Sequence, residues 1–398
     1  MEGTMKQAWL NNVGEGNWEI REVPIPTPGP GQALIKIHAG SICKQTDSNT
    51  VRGYHPPHDH QCWGMLPHHM RMLYHNTPES PDPLADIYPK KYLQYDWEPF
   101  PSRMGHEMAS EIVEIGGYLG QHPYGEYTTD DGSKRVTENN LISDNNPFEV
   151  GDRVTGSPIF GGFAEYVVAD FSAIFKIPEG ISYETATLAE PVMCVYPHVS
   201  QTVQFRDRVV VLGVGALGFA SMCIAKGMGA KQIVAVDLDD AKLEFAKAHG
   251  ADVVINPNTV DNVADAIWEA TDGEGADSVL EVTGEPECIQ LLPYITKFGG
   301  RIGQIGACCK LVPVDWSYFH FRGLSINKCV VGSGMINAHN APNSNHGFDI
   351  ALDLIESGIV PMGEFIDYTL DLTLENLEKA FDRALHDNTM RKAMFIFK

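Results

Sequence analysis

Basic residues are scarce in this chain. Its 29 lysines and arginines stand against 52 aspartates and glutamates, a formal net charge of −23 at pH 7. A surface of that sign repels phosphate backbones and anionic lipid, which argues against nucleic acid and membrane as partners. The acids are dispersed rather than gathered in a tail, as on an ordinary solvated surface. Long hydrophobic runs are also missing: no segment approaches the roughly 20 apolar residues of a spanning helix. The opening MEGTMKQAWL lacks the basic-then-apolar pattern of an export leader. Cysteine is sparse and scattered, at Cys43, Cys62, Cys194, Cys223, Cys288, Cys308, Cys309 and Cys329. That spread points to free thiols in a reducing, cytoplasmic setting, with room for a metal ligand among them. Repeats and low-complexity tracts are absent too. What remains is a 398-residue chain, 43% apolar, long enough for about two domains.

The most informative segment that is present is VVVLGVGALGFASMCIAKGMGAKQIVAVD, from Val209 to Asp237. An apolar run, Val209 to Leu212, reads as a buried parallel strand. It leads into Gly213, Gly215 and Gly218, spaced G-x-G-x-x-G, then a helix-like stretch and a second apolar strand, Ile233 to Val236, ending at Asp237. This strand–turn–helix–strand order with an acid about 20 residues on is what a dinucleotide site requires. Gly213 permits the tight turn, Gly215 lets backbone approach a pyrophosphate, and Gly218 lets helix and strand pack closely. The helix N-terminus at Ala216 and Leu217 offers unpaired N–H groups and partial positive charge to the phosphates. Asp237 would accept hydrogen bonds from the adenosine ribose, and Leu238 and Asp239 follow it rather than a basic pair. That favours NAD over NADP, with Lys242 softening the preference.

Around this unit the pattern changes twice. The first part is strand-rich: Ala33 to His38 alternates after the loop segment PTPGPG, and Glu111 to Ile115 and Ala164 to Val168 are further strands. Helix and strand patterns alternate from about Pro191 to Gly334, with a helix at Ala241 to His249 and strands at Val253 to Ile255, Ser278 to Val282 and Gly303 to Ile305. That alternation predicts a doubly wound parallel sheet, an α/β nucleotide domain over 191–335. Helices at Phe348 to Ser357 and Leu374 to Leu385 and a closing strand at Ala393 to Phe397 return the tail to the first, β-rich domain, 1–190 and 336–398. The segment Tyr54 to Arg103 resists this reading. It is polar, aromatic and proline-bearing, and holds His55, His58, His60, Cys62, His68, His69 and His75, as a lid or binding loop would.

Three places carry residues able to polarise a substrate oxygen: Cys43 in GSICKQTD, His106 and Glu107 in MGHE, and Glu190 in LAEPVMC. Thiolate, imidazole and carboxylate make a plausible zinc set with one open position, and zinc there would act as a Lewis acid on a carbonyl or alcohol oxygen. Such residues scattered this far apart are also ordinary structural residues. Thr283 and Gly284, after the VLEV strand, fall at the carboxyl edge of the sheet where a dinucleotide binds, and Ile305 and Gly306 stand at the end of the following strand. Cys308 and Cys309 read as core thiols, and Arg301 and Lys328 as surface or interface residues.

The segments GSIC, TD, GHE, GDRV (Gly151 to Val154), GGFAEYVV (Gly161 to Val168), LAEP, VLGVGALG and Asp237 occur in this order. Together they resemble the zinc-dependent medium-chain alcohol dehydrogenases, nearest the sorbitol and threonine branch. The resemblance implies a Rossmann nucleotide domain and a partly open, GroES-like barrel. It also implies one catalytic zinc held by Cys43, His106 and Glu190, with Glu107 beside the metal or exchanging as a ligand. Cys194 is a rival for the third position. Hydride would pass between a secondary alcohol (a polyol, sugar or hydroxylated metabolite) and NAD, and a homodimer or homotetramer is expected, with Leu324 to Val331 as one contact edge.

The chain departs from that pattern in three ways. Lys44, Gln45, Thr46 and Asp47 follow Cys43 with one residue more than usual, so Thr46 or Gln45 would relay the proton and Asp47 would orient the zinc-binding histidine. The four clustered cysteines of a structural zinc lobe are missing after GDRV, so no structural zinc is expected there. The Cys43-to-His106 separation is enlarged by the His-rich insert. A second metal at His58, His60 and Cys62, or ring stacking by Tyr54, Trp63, Tyr74, Tyr92, Tyr95 and Trp97, are alternative uses of it. Other functional classes are a zinc-free NAD(P)-dependent reductase of the same fold, an enzyme using bound NAD transiently for elimination or epimerisation, and a non-enzymatic NAD-binding regulator.

Overall fold

The computed structural model describes residues 1–53, 100–116, 125–128, 134–137, 148–156, 161–308, 310, 312–327 and 347–397, of which 125–128 and 134–137 are described by backbone alone. Residues 54–99 of the insert, with their histidines and aromatic rings, lie outside that set, as do Cys309, Cys329 and Lys328.

The apolar runs of the middle segment pair as parallel strands. In space they lie in the order Val253–Ile255, Gln232–Val236, Arg208–Leu212, Ala276–Glu281, Thr296–Gln304 and Ser325–Asn327. Strand order reverses at Arg208–Leu212, the first of the set in sequence, and a crevice opens at the carboxyl ends of the strands there. Strands buried on both faces need continuous apolar residues, and Val209, Val210, Val211 and Leu212 are at most 1% exposed. Helices cover both faces. Val192, Val199, Phe219 and Leu243 pack on one side, and Ile267, Leu292 and Phe319 on the other.

The remaining strands form the β-rich part. A seven-stranded sheet centres on Gln32–Ser41, which pairs antiparallel with Glu107–Ile115, Tyr166–Asp170 and the C-terminal Ala393–Ile396. The tail thus closes the first domain rather than extending the second. A smaller sheet joins Trp18–Pro24, Thr4–Leu10 and Ser102–Arg103. The two halves share a core. Ala39, Ala109 and Met394 of the antiparallel sheet lie in one buried cluster with Val192, Val195 and Val199 of the helix Ala189–Thr202 and with Val209 and Val211. Among the described residues no helix is long and apolar enough to cross a membrane.

Two side chains differ from expectation. Arg301 is not a loose surface residue: it donates to the carbonyl of Thr202 at 2.7 Å and pairs with Asp207 at 2.6 Å, tying the end of helix Ala189–Thr202 to the sheet. A guanidinium this sheltered needs such partners. Cys308 is half-buried rather than in the core, its thiol directed at the carbonyl of Lys310 at 3.3 Å.

The glycine turn obeys close-packing limits. Gly213 has φ +95°. Gly215 begins the helix Ala216–Gly227 with open space where a side chain would stand. A Cβ on Gly218 would sit 1.9 Å from the carbonyl oxygen of Gly213, which is backbone and cannot yield cheaply. Gly218→Ala is therefore expected to destabilise the protein by about 1–3 kcal/mol. Urea unfolding monitored by tryptophan fluorescence checks this, and an unchanged midpoint would refute it.

Candidate active site

Three strand ends build the site. Cys43 leaves the strand Gln32–Ser41 two residues after its last residue, and the short helix Thr46–Val51 follows. Glu107 is the first residue of the strand Glu107–Ile115, longer at its start than the apolar pattern implied, and pairs in register with Ser41. Ser41 in turn pairs with Met394, so Lys392 lies close by, just before the strand Ala393–Ile396. His106 is placed by Gly105, whose φ is +91° and whose missing side chain leaves room for the ring of Phe163, 2.7 Å from where a Cβ would be. The segment carrying Phe163 is pinned there by the bond from Gly162 N–H to the Gly105 carbonyl, so GGFAEYVV holds the back of the GHE turn.

Ligand atoms of Cys43, His106 and Glu107 lie within 4.8 Å of one another. His106 is 5% and Glu107 1% exposed. The cluster is ordered by its neighbours. Asp47, fully buried, accepts from Cys43 N–H at 2.9 Å through Oδ2 and faces His106 Nδ1 at 3.3 Å through Oδ1. Thr46 N–H points at Cys43 Sγ at 3.3 Å. Glu107 Oε2 receives both the Ser41 hydroxyl and the Lys392 ammonium. Burial works against charging His106, but Asp47 and then Cys43 outweigh it and raise its imidazole well above the usual range. Burial likewise opposes the charge on Lys392, and Glu107 and Cys43 reverse the effect, raising it.

Glu190, 8% exposed, stands in the first turn of helix Ala189–Thr202. It is outside the set within 4.8 Å. Its Oε1 accepts the thiol of Cys194, one helical turn on, at 3.3 Å. Burial raises the Glu190 carboxyl, offset in part by His106, and burial together with Glu190 pushes the Cys194 thiol well above its ordinary value. Cys194 is thus a polar partner of Glu190 rather than an inert apolar thiol. The pair faces the same charged groups as the three-residue cluster.

The extra residue after Cys43 takes a separate direction. Gln45 Nε2 donates to the carbonyl of Thr283 at 3.0 Å, across to the nucleotide half. A cleft of about 440 Å³ lies beside this link, lined by Asn49 and Arg52 from one half and Thr283, Gly284, Glu285, Ala307 and Lys310 from the other. At the far end of the crevice Asp237 Oδ2 accepts Val214 N–H at 2.7 Å and Oδ1 accepts Asp239 N–H at 3.0 Å. Leu238 is 54% exposed and Lys242 6%. Gly306, beside the buried Ile305, packs against Gly284 so closely that a Cβ there would lie 2.2 Å from Gly284 N.

Three residues of this neighbourhood carried no signal in the motifs. Lys392 stands near the end of the chain with nothing around it to mark a partner. Glu281 sat inside an apolar strand. Lys44 neighbours Cys43, and adjacency was its only cue; burial pushes its ammonium down to about 8, with Lys242 adding to the effect.

The donor set fits zinc: a thiol, an imidazole and a carboxylate, buried and already oriented by Asp47 and Ser41. The turn at Gly213, Gly215 and Gly218 leaves a cradle that side chains would fill. Comparison with known proteins agrees with both. Residues 216–345 match the family model described as zinc-binding dehydrogenase, and residues 84–179 match the alcohol dehydrogenase GroES-like domain, together more than half of the chain. L-threonine 3-dehydrogenase of Pyrococcus horikoshii is 29% identical over 323 residues, spanning 81% of this chain and 80% of that protein. Sorbitol dehydrogenase of Halalkalibacterium halodurans is 26% identical over 307 residues, 76% of this chain and 77% of that one. The crystal structure of 2R,3R-butanediol dehydrogenase from Bacillus subtilis shares the fold with a TM-score of 0.70, covering 99% of this chain and 100% of that chain at 22% identity. Both halves of the molecule carry the same relationship, and the chain belongs to the zinc-dependent medium-chain alcohol dehydrogenase family.

Proposed function

We propose that the protein oxidises a secondary alcohol or polyol, or reduces the matching ketone, with one catalytic zinc and NAD. The observation that carries this reading is the buried cluster of Cys43, His106 and Glu107, whose loop reaches the nucleotide half through the Gln45–Thr283 bond beside the cleft. When bound, zinc supplies Lewis acidity toward the substrate oxygen and the nicotinamide exchanges hydride.

The chain's own residues set the conditions for that chemistry. Cys43 and His106 hold the metal, with Glu107 or Glu190 as the third ligand. Asp47 fixes the imidazole. Lys392 neutralises Glu107 while it is away from the metal, so either carboxylate can serve without leaving the other buried and unpaired. Thr46 stands beside Cys43 at the start of its helix and is the proposed first proton acceptor. Gln45 is engaged with Thr283, which weighs against it for that task. Ala216, Leu217 and the glycine turn take the pyrophosphate. Thr283, Gly284, Ile305 and Gly306 border the nicotinamide.

Asp237 at the end of its strand supports NAD over NADP. The same proposal includes a cytoplasmic homodimer or homotetramer. Strand Ser325–Asn327 is an edge of the six-stranded sheet and exposes Ile326 there.

A panel of polyols, amino alcohols and diols scored by NADH absorbance, with zinc measured on the same sample, tests the reading. About one zinc per chain and turnover of at least one secondary alcohol are expected, with Cys43→Ser losing both. Asp47→Asn is expected to weaken zinc binding by about 10–100-fold in a chelator competition. Full activity of Cys43→Ser after metal removal would sink the mechanism. Cofactor choice has its own check: Asp237→Ala should narrow the gap between NAD and NADP in binding titrations, and wild-type preference for NADP would overturn it. Lys44 carries a pH dependence. It lies close enough to Lys242 and Asp237 to interact with both, so its ammonium, present below about 8, favours an anionic dinucleotide. NADH affinity should fall as pH rises from 7 to 9, and Lys44→Met should flatten that profile.

A further inference from the structure

Glu281 is a charged residue that neither the metal cluster nor the glycine turn uses. It ends the strand Ala276–Glu281, every residue of which is buried, and is itself 0% exposed. An apolar residue would satisfy the sheet there, and a carboxyl placed so deep costs several kcal/mol unless hydrogen bonds repay it. Three donors converge on its Oε1: Thr283 N–H at 2.7 Å, the Thr283 hydroxyl at 2.5 Å and Gly284 N–H at 3.0 Å. Its backbone carbonyl accepts Ile305 N–H at 2.8 Å and Gly306 N–H at 2.9 Å. One residue therefore holds both turns at the carboxyl edge of the sheet.

The two turns are also pressed together without slack. A Cβ on Gly306 would lie 2.2 Å from Gly284 N, and one on Gly284 would lie 2.5 Å from the Ala307 carbonyl oxygen and 3.0 Å from Gln45 Nε2. Gln45 closes the series, donating to the Thr283 carbonyl at 3.0 Å from two residues beyond Cys43. The turn gripped by Glu281 is thus the same turn that the metal-ligand loop touches, and Thr283, Gly284 and Ala307 line the cleft between the halves.

The geometry points to Glu281 as a positioning residue: through Thr283 and Gly284 it holds the cleft wall against which the nicotinamide lies, and through the Gln45–Thr283 bond it holds that wall at a set distance from Cys43. This rests on the reading that the nicotinamide half of the cofactor enters this cleft. Glu281 does not touch the cavity, so its effect is on where the cleft wall stands and not on the chemistry directly.

The test compares two probes on the intact protein: the dinucleotide and ADP-ribose, which lacks the nicotinamide but keeps the adenosine and pyrophosphate that the glycine turn and Asp237 would take. Wild type, Glu281→Val, Glu281→Gln and Gln45→Ala are titrated with NADH, followed by its fluorescence, and with ADP-ribose, followed by calorimetry. Glu281→Val and Gln45→Ala are expected to lose about tenfold in NADH affinity with ADP-ribose affinity unchanged. Glu281→Gln, which keeps an acceptor oxygen, is expected to recover part of the loss. Equal losses for both probes, or no loss for either, would overturn the assignment. If Glu281→Val does not fold, the isosteric Glu281→Gln, expected to show a smaller loss confined to NADH, decides the matter, and Gln45→Ala reports on the link to the Cys43 loop by itself. A wild type that binds NADPH in place of NADH corrects only the cofactor, and the comparison is then made with NADPH and 2′-phospho-ADP-ribose. A wild type that binds neither dinucleotide overturns the cofactor reading and this inference together.

Discussion

The buried contact between Glu107 and Lys392 is the constraint on which the site depends. Both side chains are nearly sealed from solvent, 1% and 4% exposed. Desolvating two charges is repaid only by close pairing, and removal of one partner from such a pair costs about 3–5 kcal/mol. The pair can form only if Glu107–Ile115 and Ala393–Ile396 both flank Gln32–Ser41, in the register that sets Glu107 and Met394 opposite Ser41. A one-residue slip would turn each side chain to the opposite face. The charge pair thus makes the register of three distant segments expensive to change, and the same register delivers Cys43 and His106 to the metal position.

The cleft follows from a second feature, the core shared between the halves. Helix Ala189–Thr202 packs its apolar face on the parallel sheet while its first turn presents Glu190 toward His106 and Glu107. One element therefore belongs to both halves, which anchors the floor of the crevice. The upper wall is anchored by hydrogen bonds rather than apolar packing: Gln45 to Thr283, and Thr283 and Gly284 to Glu281.

Much of this was legible in the order of residues. The glycine spacing with Asp237 identified a strand–turn–helix–strand unit because each glycine answers a local steric demand: a positive φ at Gly213, open space at Gly215, a backbone contact at Gly218. Cys43, His106, Glu107 and Glu190 offered a thiol, an imidazole and carboxylates, but far apart in sequence they were equally ordinary structural residues, and the resemblance of the motifs around them gave them the metal role, with Glu190 as third ligand and Glu107 beside it. Arg301 and Cys308 were misplaced for a common reason. Side-chain chemistry suggests surface or core, but the partners that decide it, Asp207 and Thr202 for the guanidinium and the Lys310 carbonyl for the thiol, are set by packing.

The sequence by itself determined the dinucleotide turn and the alternating half around it, since apolar periodicity and glycine conformational freedom act over a few residues and leave a local mark, while the zinc chemistry and the barrel were implied by the resemblance of the ordered motifs. Only the tertiary structure decided which polar groups meet. Glu107 against Lys392, Glu190 against Cys194, Gln45 against Thr283 and Glu281 beneath two turns are matters of strand register and helix docking. Burial makes those contacts energetically important, because a charge removed from water must find its partner in space, however far along the chain that partner lies.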